Sequence, residues 1–128
     1  MVENSPDNRT VEQFILDEID SVPHLEALLL MWNSRPVQWS PGEMAQRLFV
    51  DPGTAERILE DLARQNLIVA SSGTKQYRYA PAPHQDQLIV AVDQAYRREL
   101  IRISSLIHSQ GSAAIRQFAR AFRLKKSE

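Results

Sequence analysis

The chain has 128 residues, 43% of them hydrophobic, with 15 basic and 16 acidic side chains and a formal net charge of −1, which suffices for a single domain around one core. It contains no cysteine, which excludes disulfides, thiol catalysis and thiolate metal sites, and no apolar run approaches the roughly 20 residues of a membrane span. The stretch from Met1 to Arg9 is polar and acidic rather than signal-like, so the expectation is a cytoplasmic protein with no membrane partner.

Near-neutral charge is unusual for a dedicated nucleic-acid binder, but the distribution is uneven. Residues 1–24 carry six acids against Arg9, whereas residues 97–128 carry eight bases against Glu99 and Glu128. Such ends are expected to attract each other, within one chain or across a dimer; the alternative is a solvated acidic surface and a separate solvated basic one.

In chain order, Thr10 and Gln13 have the spacing of a capping box, and Val11, Phe14, Ile15 and Ile19 recur at helical intervals, predicting a short acidic helix over residues 11–20. Ser21-Val22-Pro23 breaks it and starts a second helix, apolar nearly all round, in which Leu25, Leu28, Leu29 and Trp32 are expected to be core. Asn33 to Pro36 ends it, and Val37-Gln38-Trp39 reads as a short extended segment. Ser40-Pro41-Gly42-Glu43 carries an N-cap serine, a proline at the first helical position and a glutamate at the third, and Asp51-Pro52 repeats the start signal. Ala45, Leu48 and Val50 mark the inward side of the first of these helices and its turn, and Ala55, Ile58, Leu59 and Leu62 that of the second. Two short helices so joined pack crosswise.

Gln65-Asn66 is a helix stop, Leu67 to Ala70 a strand, Ser71 to Thr74 a turn, and Tyr77-Arg78-Tyr79 a returning strand. Gln85 to His108 then predicts one long helix of roughly 36 Å at about 1.5 Å per residue. Its stripe includes Leu88, Ile89, Val92, Leu100, Ile103 and Ile107. So long a stripe calls for a second copy of the chain, hence a homodimer; the alternative is that the terminal helices cover it. After Gly111-Ser112, a basic C-terminal helix sets Arg116, Arg120 and Arg123 opposite Ile115, Phe118, Ala119 and Phe122. The whole reads as a single domain: an acidic N-terminal helix (1–22), a core (23–83), then the long helix and the basic helix (84–128).

The run Met44 to Leu62 followed by Leu67-Ile68, with the hairpin behind it, resembles the winged helix-turn-helix of MarR-like bacterial transcription regulators over about half the chain. The resemblance implies a mainly α fold with a small β-hairpin wing, flanked by N- and C-terminal helices. It also implies double-stranded DNA as partner, the second helix entering the major groove and the wing lying on the flanking backbone.

On that reading Thr54, Arg57 and Arg64 of the second helix and Lys75 and Arg78 of the wing are the candidate nucleic-acid contacts, and Arg116, Arg120 and Arg123 are candidate phosphate or partner contacts. The second helix nevertheless presents Asp51, Glu56, Glu60 and Asp61 against Arg57 and Arg64, a balance that repels phosphates. The alternative is a winged-helix module that docks a protein partner without specific DNA binding. His24, His84 and His108 lack metal-ligand spacing and accompany no nucleophile motif, and the four glycines form no phosphate loop. Neither a catalytic residue, a metal nor a cofactor is expected.

Overall fold

Capping chemistry sets where the helices begin. The computed structural model describes residues 7–81 and 83–109; the expected C-terminal helix with Arg116, Arg120 and Arg123, and the side chain of His84, lie outside the described residues. Helix α1 runs Asn8–Glu18 and is capped by Asp7, whose carboxylate accepts from the Thr10 amide at 2.9 Å. The expected start at Thr10 is thus corrected by three residues: a carboxylate in extended backbone is the stronger cap, and it places Thr10 inside the first turn. Ser21 caps α2 (Val22–Asn33). Ser40 caps α3 (Pro41–Leu48) with both capping-box bonds formed, Glu43 N–H to Ser40 Oγ at 3.1 Å and Ser40 N–H to Glu43 Oε1 at 3.0 Å. Asp51 caps α4 (Pro52–Arg64).

Between α3 and α4 the chain turns through Phe49, which holds a left-handed conformation (φ 59°) while Val50 donates back to the Ala45 carbonyl at 3.1 Å. Asn66, also left-handed at φ 65°, ends α4 and leads into strand β1 (Ile68–Ala70). Strand β2 (Tyr77–Tyr79) returns antiparallel with Ile68 opposite Tyr79 and Ala70 opposite Tyr77. Gly73 at φ 80° supplies the tight part of the loop between them. Trp39 bonds both ways to Tyr77, at 2.8 and 2.9 Å, so the short extended segment before α3 joins the sheet by a single bridge. The result is mainly α, six helices among the described residues, with a two-stranded hairpin as the wing.

Helix α4 packs on α3, α2 and β1, while α2 also meets β2 and the segment Leu100–His108. Leu25, Leu28 and Met31 of α2, Met44 of α3, Leu59 and Leu62 of α4 and Leu67 are wholly inaccessible, and Trp39 is buried as core. This shared core holds the helix-turn-helix and the wing in one rigid relation.

The single long helix expected over residues 85–108 is instead two. Helices α5 (Asp86–Arg98) and α6 (Leu100–His108) are separated at Glu99, whose backbone lies at φ −133°, ψ 52°. The break lets Ile103 and Ile107 be buried while α6 packs on α1 and α2. Burial is worth about 1.5–3 kcal/mol per side chain, which outweighs the roughly 0.5–1.5 kcal/mol of an interrupted helical hydrogen bond. Much of the stripe is therefore covered within the chain, by α1 and α2. Leu100, expected to be buried, is half exposed, and Ile101 beside it is 76% exposed. The attraction expected between the acidic and basic ends is represented among the described residues by an ion pair between Glu12 of α1 and Arg102 of α6. No described helix is long and apolar enough to cross a membrane.

Candidate nucleic-acid interface

Ala55, Ile58, Leu59 and Leu62 turn one side of α4 into the core, so the opposite side is fixed by helical geometry. Gly53, Arg57, Glu60 and Arg64, spaced four, three and four residues apart, form a continuous exposed stripe. Glu56 and Asp61 flank this stripe and are only partly exposed.

Asp51, Glu56 and Asp61 are each bonded to other residues of the chain, whereas Glu60 is exposed. Asp51 accepts the Thr54 amide at 3.0 Å and the Thr54 hydroxyl at 2.6 Å. Those bonds hold the Asp51 carboxyl below the ordinary carboxylate range, so its charge complements the helix N-terminus. They also commit the Thr54 hydroxyl proton to the cap, leaving that side chain only its acceptor capacity toward a ligand. Glu56 accepts from Lys75 Nζ at 2.8 Å across the gap between helix and wing. That hydrogen bond, and then the carboxylate charge, raise the Lys75 ammonium above the ordinary lysine range. Asp61 is shared: its Oδ2 is 2.9 Å from His24 Nε2, and its Oδ1 receives the Arg64 guanidinium.

Arg57 is exposed and makes no side-chain hydrogen bond or ion pair with the described residues, and the same is true of Arg78 on β2. The wing is anchored rather than loose, because Ser71 donates its hydroxyl to Gln38 Oε1 at 2.7 Å and its amide to the Gln76 carbonyl at 2.7 Å. Of the five residues read from the sequence as nucleic-acid contacts, Arg57 and Arg64 lie on the α4 stripe, Thr54 lies at the helix start, and Lys75 and Arg78 lie on the wing. Lys75 is drawn to α4 by Glu56, so wing and helix form one surface.

Two features of this region escape the sequence reading. Phe49, at the turn, is 93% exposed, and with Leu48, Arg47, Glu26 and Leu30 it borders an open groove of about 370 Å³. Arg47 stacks its guanidinium over the Trp39 ring at 5.4 Å, which keeps a cation at the foot of the wing. A left-handed aromatic has no local sequence signature, whereas the exposure of Arg47 follows from its helical position.

Neither a protein-family model nor a curated protein sequence matches the chain. The fold does have a solved counterpart. The chain is similar to the crystal structure of RV1404 from Mycobacterium tuberculosis, with 20% identity and a TM-score of 0.51, over 91% of this chain and 78% of that one. At this identity the likeness is one of fold: helices and hairpin in a winged-helix arrangement.

Proposed function

We propose that this chain is a DNA-binding transcriptional regulator of winged-helix, MarR-like type, a binding protein rather than an enzyme, acting in the cytoplasm as a homodimer. In this reading α4 enters the major groove and the wing follows the adjacent backbone. The observation that carries it is the exposed Gly53, Arg57, Glu60, Arg64 stripe with its flanking acids already paired inside the fold. On that stripe Arg57 is the guanidinium left unpaired among the described residues, while Arg64 is shared with Asp61 and Glu60 stays exposed. Gly53 leaves room for the duplex backbone at the helix start, and Arg57 has the length and fork to read guanine bidentately. The exposed pair Leu100 and Ile101 supports self-association, since the two adjacent aliphatic side chains are left in water within the described chain.

Binding of the purified protein to mixed genomic DNA fragments at low and moderate salt, with the retained fragments sequenced, tests this. Enrichment of a near-palindromic site that survives moderate salt is the expected result. Binding that disappears with salt, or no binding, overturns it in favour of the protein-docking reading. That second reading is favoured by one observation, the bare Phe49 ring beside an open groove of mixed character.

A further inference from the structure

Three side chains able to hold a metal ion meet at the junction of α1, α2 and α4. Asp20 lies in the link between α1 and α2, His24 in the first turn of α2 and Asp61 in the third turn of α4. One ligand atom from each lies within 4.8 Å of the other two. All are shielded from bulk water: Asp20 is 9% exposed, and the side chains of His24 and Asp61 are 12% and 14% exposed.

We propose that Asp20, His24 and Asp61 form a site for a divalent transition-metal ion of the Zn²⁺ or Co²⁺ kind. The first argument is distance. An ion bound at about 2.0–2.2 Å to each ligand holds tetrahedral ligand atoms about 3.4 Å apart. His24 Nε2 and Asp61 Oδ2 stand at 2.9 Å, so a slight opening there and a modest closure of Asp20 place all three around one centre.

The second argument is the setting of the imidazole. Ser21 Oγ lies 2.6 Å from His24 Nδ1, and the same oxygen accepts the His24 amide at 3.3 Å as the cap of α2. Ser21 and Asp61 thus hold the ring from both sides; an ion at Nε2 displaces the proton that Nε2 shares with Asp61 Oδ2, and Nδ1 then donates to Ser21, the arrangement that metal-binding histidines use. The third argument is charge. A divalent ion adds positive charge beside two poorly solvated carboxylates, in addition to the partners that Asp20 and Asp61 already have. Arg64 meets Asp61 at Oδ1 from the solvent side, leaving Oδ2 for the ion. One nitrogen and two oxygens suit borderline and hard divalent ions, and three protein ligands leave a position for water. An ion so placed fastens α4 to the start of α2. The site stands on this geometry and not on the DNA-binding reading.

The test is titration of the full chain, freed of metal with a chelator, first with Co²⁺ and then with Zn²⁺, monitored by visible Co²⁺ absorption and by thermal melting. The expected result is saturation at one Co²⁺ per chain, displacement of the colour by Zn²⁺, and a higher Tm with either ion. His24→Gln and the near-isosteric Asp20→Asn should each weaken binding by more than about tenfold, the smaller end of what loss of an outer-shell contact does. His108→Gln should change nothing. Absence of saturable Co²⁺ uptake by the wild-type chain overturns the proposal; so does wild-type affinity in a folded Asp20→Asn variant.

Discussion

Lys75 Nζ sits 2.8 Å from Glu56 Oε2, joining the tip region of the wing to the second turn of α4. The contact is exposed on the lysine side, so it adds little to stability. It positions the wing cation beside the helix and at the same time neutralises it. Replacing the acid should release the cation for a phosphate. Glu56→Gln should therefore strengthen DNA binding, steepening the log–log salt slope by about 0.9 and raising affinity by up to about tenfold at 0.1 M salt. Lys75→Ala should do the reverse. Fluorescence anisotropy over a salt series reads both; a Glu56→Gln variant that binds more weakly would show that the pair is needed intact.

Arg57 and Arg78 make no ion pair with described residues, and they separate two modes of contact. Arg57→Ala should cost about 1–3 kcal/mol on the best site and relax preference at one base step, whereas Arg78→Ala should weaken all sequences alike and reduce the salt slope by about 1. Competition binding against single-base variants of the enriched site distinguishes these outcomes. Equal, sequence-independent losses from both substitutions would place Arg57 on phosphate as well.

Leu59 is wholly inaccessible on α4. Leu59→Ala should destabilise by about 2–5 kcal/mol, as the lost transfer energy and the cavity add. Ser40→Ala removes one half of the capping box on α3 and should cost about 1 kcal/mol. Urea unfolding with an unchanged m value checks each. A wild-type midpoint for Leu59→Ala would contradict the packing of α4 on α2 and α3.

The parts of this fold that were legible in the sequence are those governed by local rules. Ser40 with Glu43, and Asp51 before Pro52, announce helix starts through side-chain to backbone chemistry within three residues, and Asn66 announces the end of α4 through its tolerance of the left-handed conformation. The period of Ala55, Ile58, Leu59 and Leu62 fixes the core side of α4 and hence its outward stripe. What escaped depends on partners distant in sequence. Glu99 breaks the long helix because α1 and α2 offer Ile103 and Ile107 a place in the core, and nothing in the helical period records that offer. The pairing of Glu56 with Lys75 spans 19 residues and that of His24 with Asp61 spans 37. Counting charges along α4 therefore does not reveal which of them are paired, and scanning for closely spaced residues does not bring Asp20, His24 and Asp61 together.

The three tyrosines of the chain give a final prediction, in alkaline solution. Burial raises Tyr77, with the charges of Glu60 and Glu56 adding to it. Tyr79 is pushed strongly upward by burial and by donating its hydroxyl to Asp86 at 2.7 Å. Tyr96 is raised by burial and by the Glu26 carboxylate, to which it donates at 3.1 Å. All three phenols thus hold their protons more tightly in the folded chain than at the ordinary value near 10. The folded state then binds more protons than the unfolded one above pH 10, so stability falls as pH rises. The contribution is complete below the ordinary tyrosine range and is lost as pH climbs through the raised folded values. Phenolate absorbance should rise at higher pH in the native chain than in urea, where it titrates near pH 10, and the last of it should rise together with the loss of circular dichroism. Tyr79→Phe should make the decline with pH shallower by one proton. Phenolate forming near pH 10 with the helical signal intact would mean that these hydroxyls are open to water.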